Sequence, residues 1–307
     1  MILCAGEALI DMLPRETTAG ENAFAPHAGG AVFNTAIALG RLGVPTGFLS
    51  GISNDLFGTI LVEKLAAAGV DAGYATRSDR PTTLAFVTLT DGQASYAFYD
   101  ENTAGRMLAP SDLPELSDEI DALFFGGISL VVEPCAKAYE AMVLREADRR
   151  VIMVDPNIRQ GFIRDEATYR ARLDRILAQA DIVKVSDEDL AWIEGDGALA
   201  DQAERLLARG PALVCVTQGA TGVTGYQKGD PVFVAANKAD VVDTVGAGDT
   251  FNAGFLAELH DRGVLTKPGV RTLAEADIEA ALGLGARAAA VTVGRAGANP
   301  PTRAELG

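Results

Sequence analysis

Short apolar segments rich in strand-forming residues alternate along this chain with longer segments of helical period. The alternation is typical of a parallel sheet covered by helices, because parallel strands need crossover connections that are usually helical. We therefore predict an α/β fold in which a central, mostly parallel sheet lies between layers of helices. The predicted strands are 2–5, 47–52, 122–126, 151–155, 182–185 and 213–217, and the predicted helices are 33–42, 56–68, 137–149, 169–180, 202–209, 250–261 and 278–291.

One stretch departs from this alternation. Residues 82–99 hold two aromatic-rich segments on either side of Asp91-Gly92, a dipeptide that favours the positive φ angles of a tight hairpin turn. We predict a β-hairpin at this place and interpret it as a lid. The chain is then a single domain over 1–307, with a small β lid formed by roughly 12–27 and 82–100.

Charge and cysteine content exclude several classes of function. The 307 residues include 26 Lys and Arg against 42 Asp and Glu, which gives a net charge of −16. Such a chain has no cationic excess with which to bind nucleic acid or an anionic membrane. Its three cysteines, Cys4, Cys135 and Cys215, are far apart and predict neither a disulfide framework nor a zinc site. The N-terminal sequence is unlike a secretory signal, so we expect a cytoplasmic protein.

A glycine-rich turn leads directly into an amphipathic helix at 243–255. Gly246 and Gly248 allow backbone N–H groups at the positive end of the helix to face an anion closely. Asp249 is the unusual member, because a carboxylate beside an anion site repels the ligand unless it has a task. In phosphoryl transfer that task is to accept the proton of the attacking hydroxyl. In the alternative interpretation, Asp249 only caps the first turn, and the turn alone leaves both open.

Further motifs accompany this turn in a fixed order. The combination resembles the PfkB, or ribokinase-like, family of carbohydrate kinases, and the resemblance covers nearly the whole chain. It implies a three-layer ribokinase-like fold. The segments that carry it are Gly29-Gly30 before Asn34, Gly51-Ile52-Ser53-Asn54-Asp55-Leu56-Phe57-Gly58, Thr217-Gln218-Gly219-Ala220-Thr221-Gly222 and Gly246-Ala247-Gly248-Asp249.

Within the family the nearest resemblance is to fructokinases, through segments 98–104, 127–134, 155–159 and 183–188. Two positions depart from the family pattern. Many members have Asn-x-x-Glu where this chain has Ser186-Asp187-Glu188-Asp189, and fructokinases often carry Arg at the position that looks like Asp100.

The resemblance also implies roles for matching residues. Asp249 is the implied catalytic base, with the N–H groups of Gly246, Ala247 and Gly248 as an anion hole and Arg159 as a cation near the phosphates. Asp11, Gly30, Asn34 and Arg106 match sugar-binding positions. The positions that match the ATP-binding region are Lys184, Thr217, Gly219, Gly222 and Asn252. The positions that match residues near the Mg²⁺ waters are Glu188 and Asp189, and those that match a K⁺ site are Asp243 and Val245.

Several of these residues also have plainer interpretations. Asn34 suits a helix N-cap and Asp11 a turn, and Lys184 could be a solvated charge at the edge of a strand. Residues 283–288 match a dinucleotide-binding pattern, but they follow no predicted strand and lie inside a predicted helix.

We hypothesise an ATP-dependent sugar kinase that phosphorylates a primary hydroxyl, with fructose as the favoured acceptor and fructose 6-phosphate as the product. The alternatives within the family are a 2-keto-3-deoxygluconate kinase, a ribokinase and a nucleoside kinase. Outside catalysis, the alternative is a sugar or nucleotide sensor without turnover. Lids of this family can pair between subunits, so the resemblance also implies a homodimer. The kinase hypothesis requires the Asp249 carboxylate to open on a cleft that Asp11 and Asn34 share.

Overall fold

The computed structural model describes residues 1–90 and 93–307 of the chain, so the predicted Asp91-Gly92 turn lies outside the described residues. The strands are β1 (Ile2–Ala5), β2 (Leu9–Glu16), β3 (Asn22–Gly29), β4 (Thr46–Leu49), β5 (Gly51–Ser53), β6 (Val70–Asp71), β7 (Thr76–Ser78), β8 (Leu84–Thr90), β9 (Gln93–Tyr99), β10 (Ala122–Gly126), β11 (Val151–Asp155), β12 (Ile182–Ser186), β13 (Leu213–Thr217), β14 (Gly222–Tyr226) and β15 (Val232–Ala235). The helices are α1 (Ala31–Arg41), α2 (Leu56–Ala67), α3 (Cys135–Glu146), α4 (Glu166–Leu177), α5 (Asp187–Glu194), α6 (Leu199–Leu207), α7 (Ala247–Asp261), α8 (Lys267–Val270), α9 (Glu275–Val293) and α10 (Arg303–Leu306).

The central sheet has nine strands in the order β15-β14-β13-β12-β11-β10-β1-β4-β6. All neighbours from β6 to β13 are parallel, whereas β14 and β15 pair antiparallel at one edge. The predicted α/β class is therefore confirmed. In a sheet of this kind the loops after the carboxyl ends of the strands form the ligand crevice. The site residues that follow β1, β11, β12 and β13 lie along this edge.

Side chains of the central strands alternate between two cores. In β1, Ile2 and Cys4 join a core with α1, α2, α7 and α9, while Leu3 and Ala5 join another with α3 to α6. Both faces of these strands are buried, which explains their continuously apolar sequences. The result is a three-layer arrangement. Helix α7 lies in the same layer as α1, α2 and α9.

A second sheet of four strands, in the order β3-β2-β8-β9, projects beside the central sheet. We call it the small sheet. Strand β2 pairs antiparallel with β3 and parallel with β8, and β8 pairs antiparallel with β9. Asp11 is opposite Ala85, which is opposite Phe98, so these residues form a row on one face. We call this face, which carries Asp11, the inner face.

Two kinds of prediction differ from the structure. The single strand predicted at 47–52 is wrong, because the chain leaves the central sheet at Ser50 and β5 pairs with β7 instead. The backbone at Gly51 then lies so close to Ala104 that an added Cβ would be 2.0 Å from the Ala104 carbonyl oxygen. The predicted helices begin two or three residues late, apart from 56–68, because apolar residues define the pattern whereas most of the helices begin in a small or polar first turn.

The structure also places the cysteines and the dinucleotide-like segment of the sequence. Cys4, Cys135 and Cys215 are buried and unpaired. Residues 283–288 lie inside α9, as expected from their lack of a preceding strand. Within residues 1–90 and 93–307, none of the helices combines the length and apolar character needed to cross a membrane.

Candidate active site

The N-terminus of α7 forms the centre of the site. Its N-cap, Gly246, has a φ of +79°, and an added Cβ there would lie 2.7 Å from the Ala298 Cβ, so glycine is required. Within the described ranges, the N–H groups of Gly246 and Gly248 have no hydrogen-bond partner, whereas Ala247 N–H makes a long bond of 3.3 Å to Thr244 O. The turn therefore presents unpaired donors at the positive end of a 15-residue helix.

Asp249 lies in the first turn of this helix and is 8 % exposed. Its Oδ2 accepts a hydrogen bond from Asn34 Nδ2 at 2.9 Å, and its carbonyl oxygen accepts one from Thr35 Oγ1 at 3.2 Å. Oδ1 accepts none within the described residues and is not among the fully buried atoms that lack a partner, so it faces open space. Burial raises the pKa of Asp249 to about 7, against the lowering effect of the Asn34 hydrogen bond.

These contacts bear on the two interpretations of Asp249. Its side chain makes no capping hydrogen bond to the α7 backbone and reaches α1 instead. Asn34 is likewise not an N-cap, because Gly30 occupies that position and Asn34 lies one turn inside the helix. A buried carboxylate with a pKa near neutrality and one unpaired oxygen has the properties of a general base.

A buried ion pair lies directly beside the turn. Lys184 Nζ donates to Asp155 Oδ2 at 3.1 Å, and Asn252 Nδ2 donates to the same oxygen at 2.7 Å. A Cβ added to Gly248 would lie 3.3 Å from Lys184 Nζ, so the ammonium group borders the unpaired backbone donors. Lys184 is 5 % exposed, which excludes the interpretation as a solvated edge charge. Asn252 Oδ1 is buried without a partner in the described part of the chain.

Three predicted sugar-binding residues meet where the small sheet joins α1. The Asp11 carboxylate lies against Gly29, since a Cβ there would be 2.3 Å from Asp11 Oδ2. Gly30 follows with a φ of +109° and is packed against the Glu7 carbonyl, and Asn34 is one turn further along α1. Burial raises the pKa of Asp11 to about 6. The chain thus brings Asp11, Gly30, Asn34 and Asp249 to one end of α1.

The residues predicted near magnesium and the phosphates are less closely grouped. Glu188 is exposed and Asp189 is half-buried, both in the first turn of α5. Asp189 Oδ1 accepts a hydrogen bond from Ile158 N at 3.2 Å, and burial raises its pKa. Arg159 is exposed, and its Nη1 contacts the carbonyl oxygens of Asn157 and Ile158 in its own loop. It does not contact Asp249.

The part of the chain described here contains no group of three or more His, Cys, Asp or Glu side chains arranged to hold a metal ion. Mg²⁺ bound by proteins usually keeps several waters and is held by one or two carboxylates together with substrate phosphates. Glu188 and Asp189 fit that mode, since both are carboxylates and Asp189 Oδ2 has no hydrogen-bond partner within the described ranges.

The remaining predicted residues lie at two ends of the cleft. Thr217 ends β13 and its Oγ1 donates to Val185 O, while Gly219 and Gly222, both with positive φ, form the turn into β14. Both carboxylate oxygens of Asp243 accept backbone hydrogen bonds, one from Val245 N at 3.0 Å and the other from Gly297 N at 2.9 Å. Val245 is 45 % exposed beside it, so a K⁺ ion here would depend on backbone carbonyl oxygens.

Arg106 lies further from Asp249, at the base of the small sheet. Its Nη1 donates to Asp100 Oδ1 at 3.0 Å and its Nε donates to the Glu133 carbonyl at 3.1 Å. With Asp100 it borders a cavity of about 400 Å³ beneath Tyr96 and Phe98 of β9.

Sequence reasoning did not single out Glu7 and Asp155 as site residues. Glu7 accepts hydrogen bonds from Ala31 N at 3.0 Å and Ser129 N at 3.3 Å, which anchors the start of α1, and burial raises its pKa. Asp155 holds Lys184 and Asn252. Both acids lie at or just beyond the carboxyl ends of central parallel strands, and this position is the signal that could have identified them.

Known proteins with similar sequences and structures place this site in context. Residues 1–305 match the profile of the pfkB family carbohydrate kinases. A fructokinase from Rhizobium leguminosarum bv. trifolii is 56 % identical over 275 residues, which is 90 % of this chain and 84 % of the relative. A fructokinase from Klebsiella pneumoniae is 35 % identical over 84 % of both chains. The crystal structure of a fructokinase with bound ATP from Xylella fastidiosa has a TM-score of 0.88 and 29 % identity, covering 99 % of this chain and 96 % of that one.

The fold and the buried carboxylate at a glycine turn define an ATP-dependent phosphotransferase with an alcohol acceptor. The chain belongs to the pfkB family of carbohydrate kinases. The predicted family, fold class and type of enzyme are thus confirmed.

Proposed function

We propose that this kinase transfers the γ-phosphoryl group of ATP to the primary hydroxyl of fructose and forms fructose 6-phosphate. The observation that carries the proposal is the Asp249 carboxylate, with one oxygen held by Asn34 and the other unpaired, at the open N-terminus of α7. The fructokinase from Rhizobium leguminosarum bv. trifolii, at 56 % identity, supports fructose as the acceptor.

Asp249 acts as the general base in this mechanism. The Asn34 hydrogen bond orients the carboxylate and leaves Oδ1 to accept the proton of the sugar hydroxyl. Because its pKa is about 7, the group is a stronger base than an ordinary aspartate and still ionised in a large fraction of molecules near neutral pH. Proton transfer to Asp249 makes the sugar oxygen nucleophilic as it attacks the γ-phosphorus.

The α7 turn and Lys184 stabilise the negative charge that develops on the phosphoryl group. The N–H groups of Gly246 and Gly248 are fixed by the helix and need no reorganisation during the reaction. Arg159 would approach the phosphates by moving from its own loop. Glu188 and Asp189 would hold Mg²⁺ through its waters, and the ion would neutralise phosphate charge there, while Asp243 and the backbone of Val245 would hold K⁺.

The sugar binds between the small sheet and α1, where Asp11, Gly30, Asn34 and Arg106 provide carboxylate, backbone, amide and guanidinium groups for its hydroxyls. The chain forms one domain over 1–307, and the small sheet acts as its lid. Closure of the lid excludes water, which would otherwise compete with the sugar for ATP. Thr217, Gly219, Gly222 and Asn252 border the ATP end of the cleft.

Asp249→Asn tests this role directly. The substitution keeps the shape of the side chain and removes the base, so kcat for fructose should fall by roughly 10²- to 10⁴-fold. ADP release in a coupled assay measures the loss. The matched control is Asp261→Asn, at the exposed end of the same helix, which should turn over normally. Near-normal kcat in a folded Asp249→Asn protein would remove Asp249 from the role of base.

The same assay identifies the acceptor. Fructose, ribose, a nucleoside and 2-keto-3-deoxygluconate are compared at equal concentration, and fructose should give the highest kcat/KM. A higher value for another acceptor would reassign the substrate. Binding of ATP and sugar without ADP release from any acceptor would instead indicate a sensor.

We further propose a homodimer formed by the outer face of the small sheet. Phe24 and Tyr99 are 44 % and 62 % exposed there, and their rings pack edge-on against Phe86 at 5.0 and 5.4 Å between centroids. An exposed aromatic face of this kind is typical of a protein interface, and a second copy of the chain is the occupant that the family resemblance implies. Analytical sedimentation should show that the Phe24→Asp protein is a monomer, whereas the control Leu144→Asp, on α3, should remain a dimer. An unchanged mass for Phe24→Asp would refute this interface.

We place the enzyme in the cytoplasm. Its donor, ATP, is available there, and its three buried, unpaired cysteines suit a reducing compartment.

A further inference from the structure

Asp100 and Arg106 form an ion pair that borders two cavities beside the sugar site. The larger cavity, of about 400 Å³, is covered by Tyr96 and Phe98 of β9. Phe98 lies in the same cross-strand row as Asp11, on the inner face of the small sheet. The smaller cavity is bordered by Glu7, which anchors the start of α1 beside Gly30. The pair therefore stands between two elements that hold predicted sugar contacts.

The Asp100–Arg106 pair is electrically neutral as a whole, so a ligand beside it meets little net positive charge. Arg106 Nη1 is bonded to Asp100 at 3.0 Å and its Nε to the Glu133 carbonyl at 3.1 Å, while the two side chains are only 20 % and 14 % exposed. Within the described part of the chain, Nη2 has no hydrogen-bond partner. A guanidinium in this state can donate a hydrogen bond to a hydroxyl. A carboxylate, in contrast, would have to compete with Asp100 for the cation and would meet its repulsion.

We propose that the Asp100–Arg106 ion pair selects neutral sugars over sugar acids, and that Asp100 is the specificity-determining residue. This inference rests on the proposed sugar kinase activity and adds the chemical class of the acceptor. Arg106 donates Nη2 to a hydroxyl of a neutral ketose or aldose. Asp100 screens the positive charge that would otherwise stabilise the carboxylate of an aldonate or a keto-deoxy sugar acid.

The other charges around the site act in the same direction. Glu7, Asp11 and Asp249 are the acids nearest the sugar, and each repels an anionic acceptor to the extent that it is ionised. Two buried cations also lie near this cleft, and both are already paired: Lys184 is bonded to Asp155 on the side of the phosphates, and Arg172 is bonded to Glu133 and Glu140 on the wall of the larger cavity. Release of Arg106 from Asp100 is therefore the simplest single change that would create a carboxylate site in this cleft.

The test compares fructose with 2-keto-3-deoxygluconate in the wild-type protein, in Asp100→Asn and in Asp165→Asn. Asp100→Asn removes the charge and keeps the shape, so kcat/KM for the sugar acid relative to fructose should rise roughly 10- to 100-fold, the value of one charged hydrogen bond. Asp165→Asn is the matched control, because it removes one negative charge from the wall of the same cavity, still caps α4 through Thr168 N, and leaves Arg106 paired with Asp100 and Arg172 paired with Glu133. Its ratio should change less than threefold.

Binding constants of both acceptors, measured by calorimetry with a non-hydrolysable ATP analogue, give the same ratio independently of turnover. An unchanged ratio in folded Asp100→Asn would overturn the proposal, as would an equal rise in Asp165→Asn or a wild-type preference for the sugar acid. Asp100→Ser is the second variant if Asp100→Asn does not fold. Absence of ADP release from every acceptor would refute the kinase assignment instead, and the binding ratio would still decide the specificity.

Discussion

Asp249→Asn should make the protein more stable at high pH while it removes activity. Burial raises the pKa of Asp249 from 3.8 to about 7. One pKa unit corresponds to about 1.4 kcal/mol, so the ionised carboxylate costs the folded state roughly 4 kcal/mol relative to a neutral side chain of the same shape. Asparagine can still accept the hydrogen bond from Asn34, so this cost is removed without a new unpaired group.

The effect has a defined pH window. Below about pH 4 the carboxyl is protonated in both the folded and the unfolded chain, and the two proteins should differ little. As pH rises from 4 to 7, the unfolded chain releases the proton and the folded chain keeps it, so wild-type stability falls. Above pH 7 the loss is complete. The advantage of Asp249→Asn should therefore grow by roughly 2 to 3 kcal/mol between pH 5 and pH 8.

Urea denaturation, followed by circular dichroism at four pH values, measures this difference. The groups that face Asp249 are Asn34, Asp155, Lys184 and Glu7, and they are present in both proteins, so their own titration contributes only through coupling. Asp201→Asn, on the exposed face of α6 and without an ion pair in the described residues, serves as the control, and its effect on the free energy of unfolding should not depend on pH in this range. A constant difference for Asp249→Asn, or a lower stability than wild type at pH 8, would refute the reasoning.

Three further predictions follow from the site. The kcat/KM of the wild-type kinase should fall about tenfold per pH unit below pH 7, as the catalytic carboxylate takes up a proton, and a flat profile of ADP release would contradict this. Lys184→Met should lower the free energy of unfolding by about 3 to 5 kcal/mol, because it leaves Asp155 buried and unpaired, and adding Asp155→Asn should restore part of that loss in urea denaturation. Gly246→Ala should reduce both stability and kcat, since the new Cβ would lie 2.7 Å from that of Ala298. Gly43→Ala, with the same φ of +79° and no atom within 4 Å, should lose only the roughly 1 to 2 kcal/mol of backbone strain, and equal losses for the two would contradict this.

The central strands could be predicted where burial on both faces leaves a simple sequence signal. Strands 2–5, 122–126, 151–155 and 213–217 match the structure because each is a short and largely apolar segment, as expected for a strand buried on both faces. The segment 47–52 has the same composition, yet its last residues belong to another sheet. That break depends on the close approach of Gly51 to Ala104, more than fifty residues away, which local composition does not encode.

The site shows the same division between local and distant information. Gly246, Gly248 and Asp249 form a contiguous turn whose function depends on local geometry, so the sequence reveals it. Asp155 becomes a site residue only through Lys184 and Asn252, which are 29 and 97 positions away. The partner of Asp249 is also distant, since Asn34 is separated from it by 215 positions. Asp155 and Glu7, which are linked to the cleft by contacts distant in the sequence, are therefore charged residues of the cleft that the sequence did not identify.

In the proposed mechanism, the charges in the cleft separate a region for the sugar from a region for the phosphates. Glu7, Asp11 and Asp249 lie on the sugar side, where burial keeps their pKa values raised, and they suit an uncharged polyol. Lys184 and the unpaired N–H groups at the start of α7 lie on the other side and suit phosphates. Asp249 belongs to both regions, because its backbone is in the anion-binding turn and its side chain reaches Asn34 on α1. The burial that raises the pKa of Asp249 destabilises its ionised form and also makes it a stronger base, so in the proposed mechanism its cost to stability and its catalytic role have one physical cause.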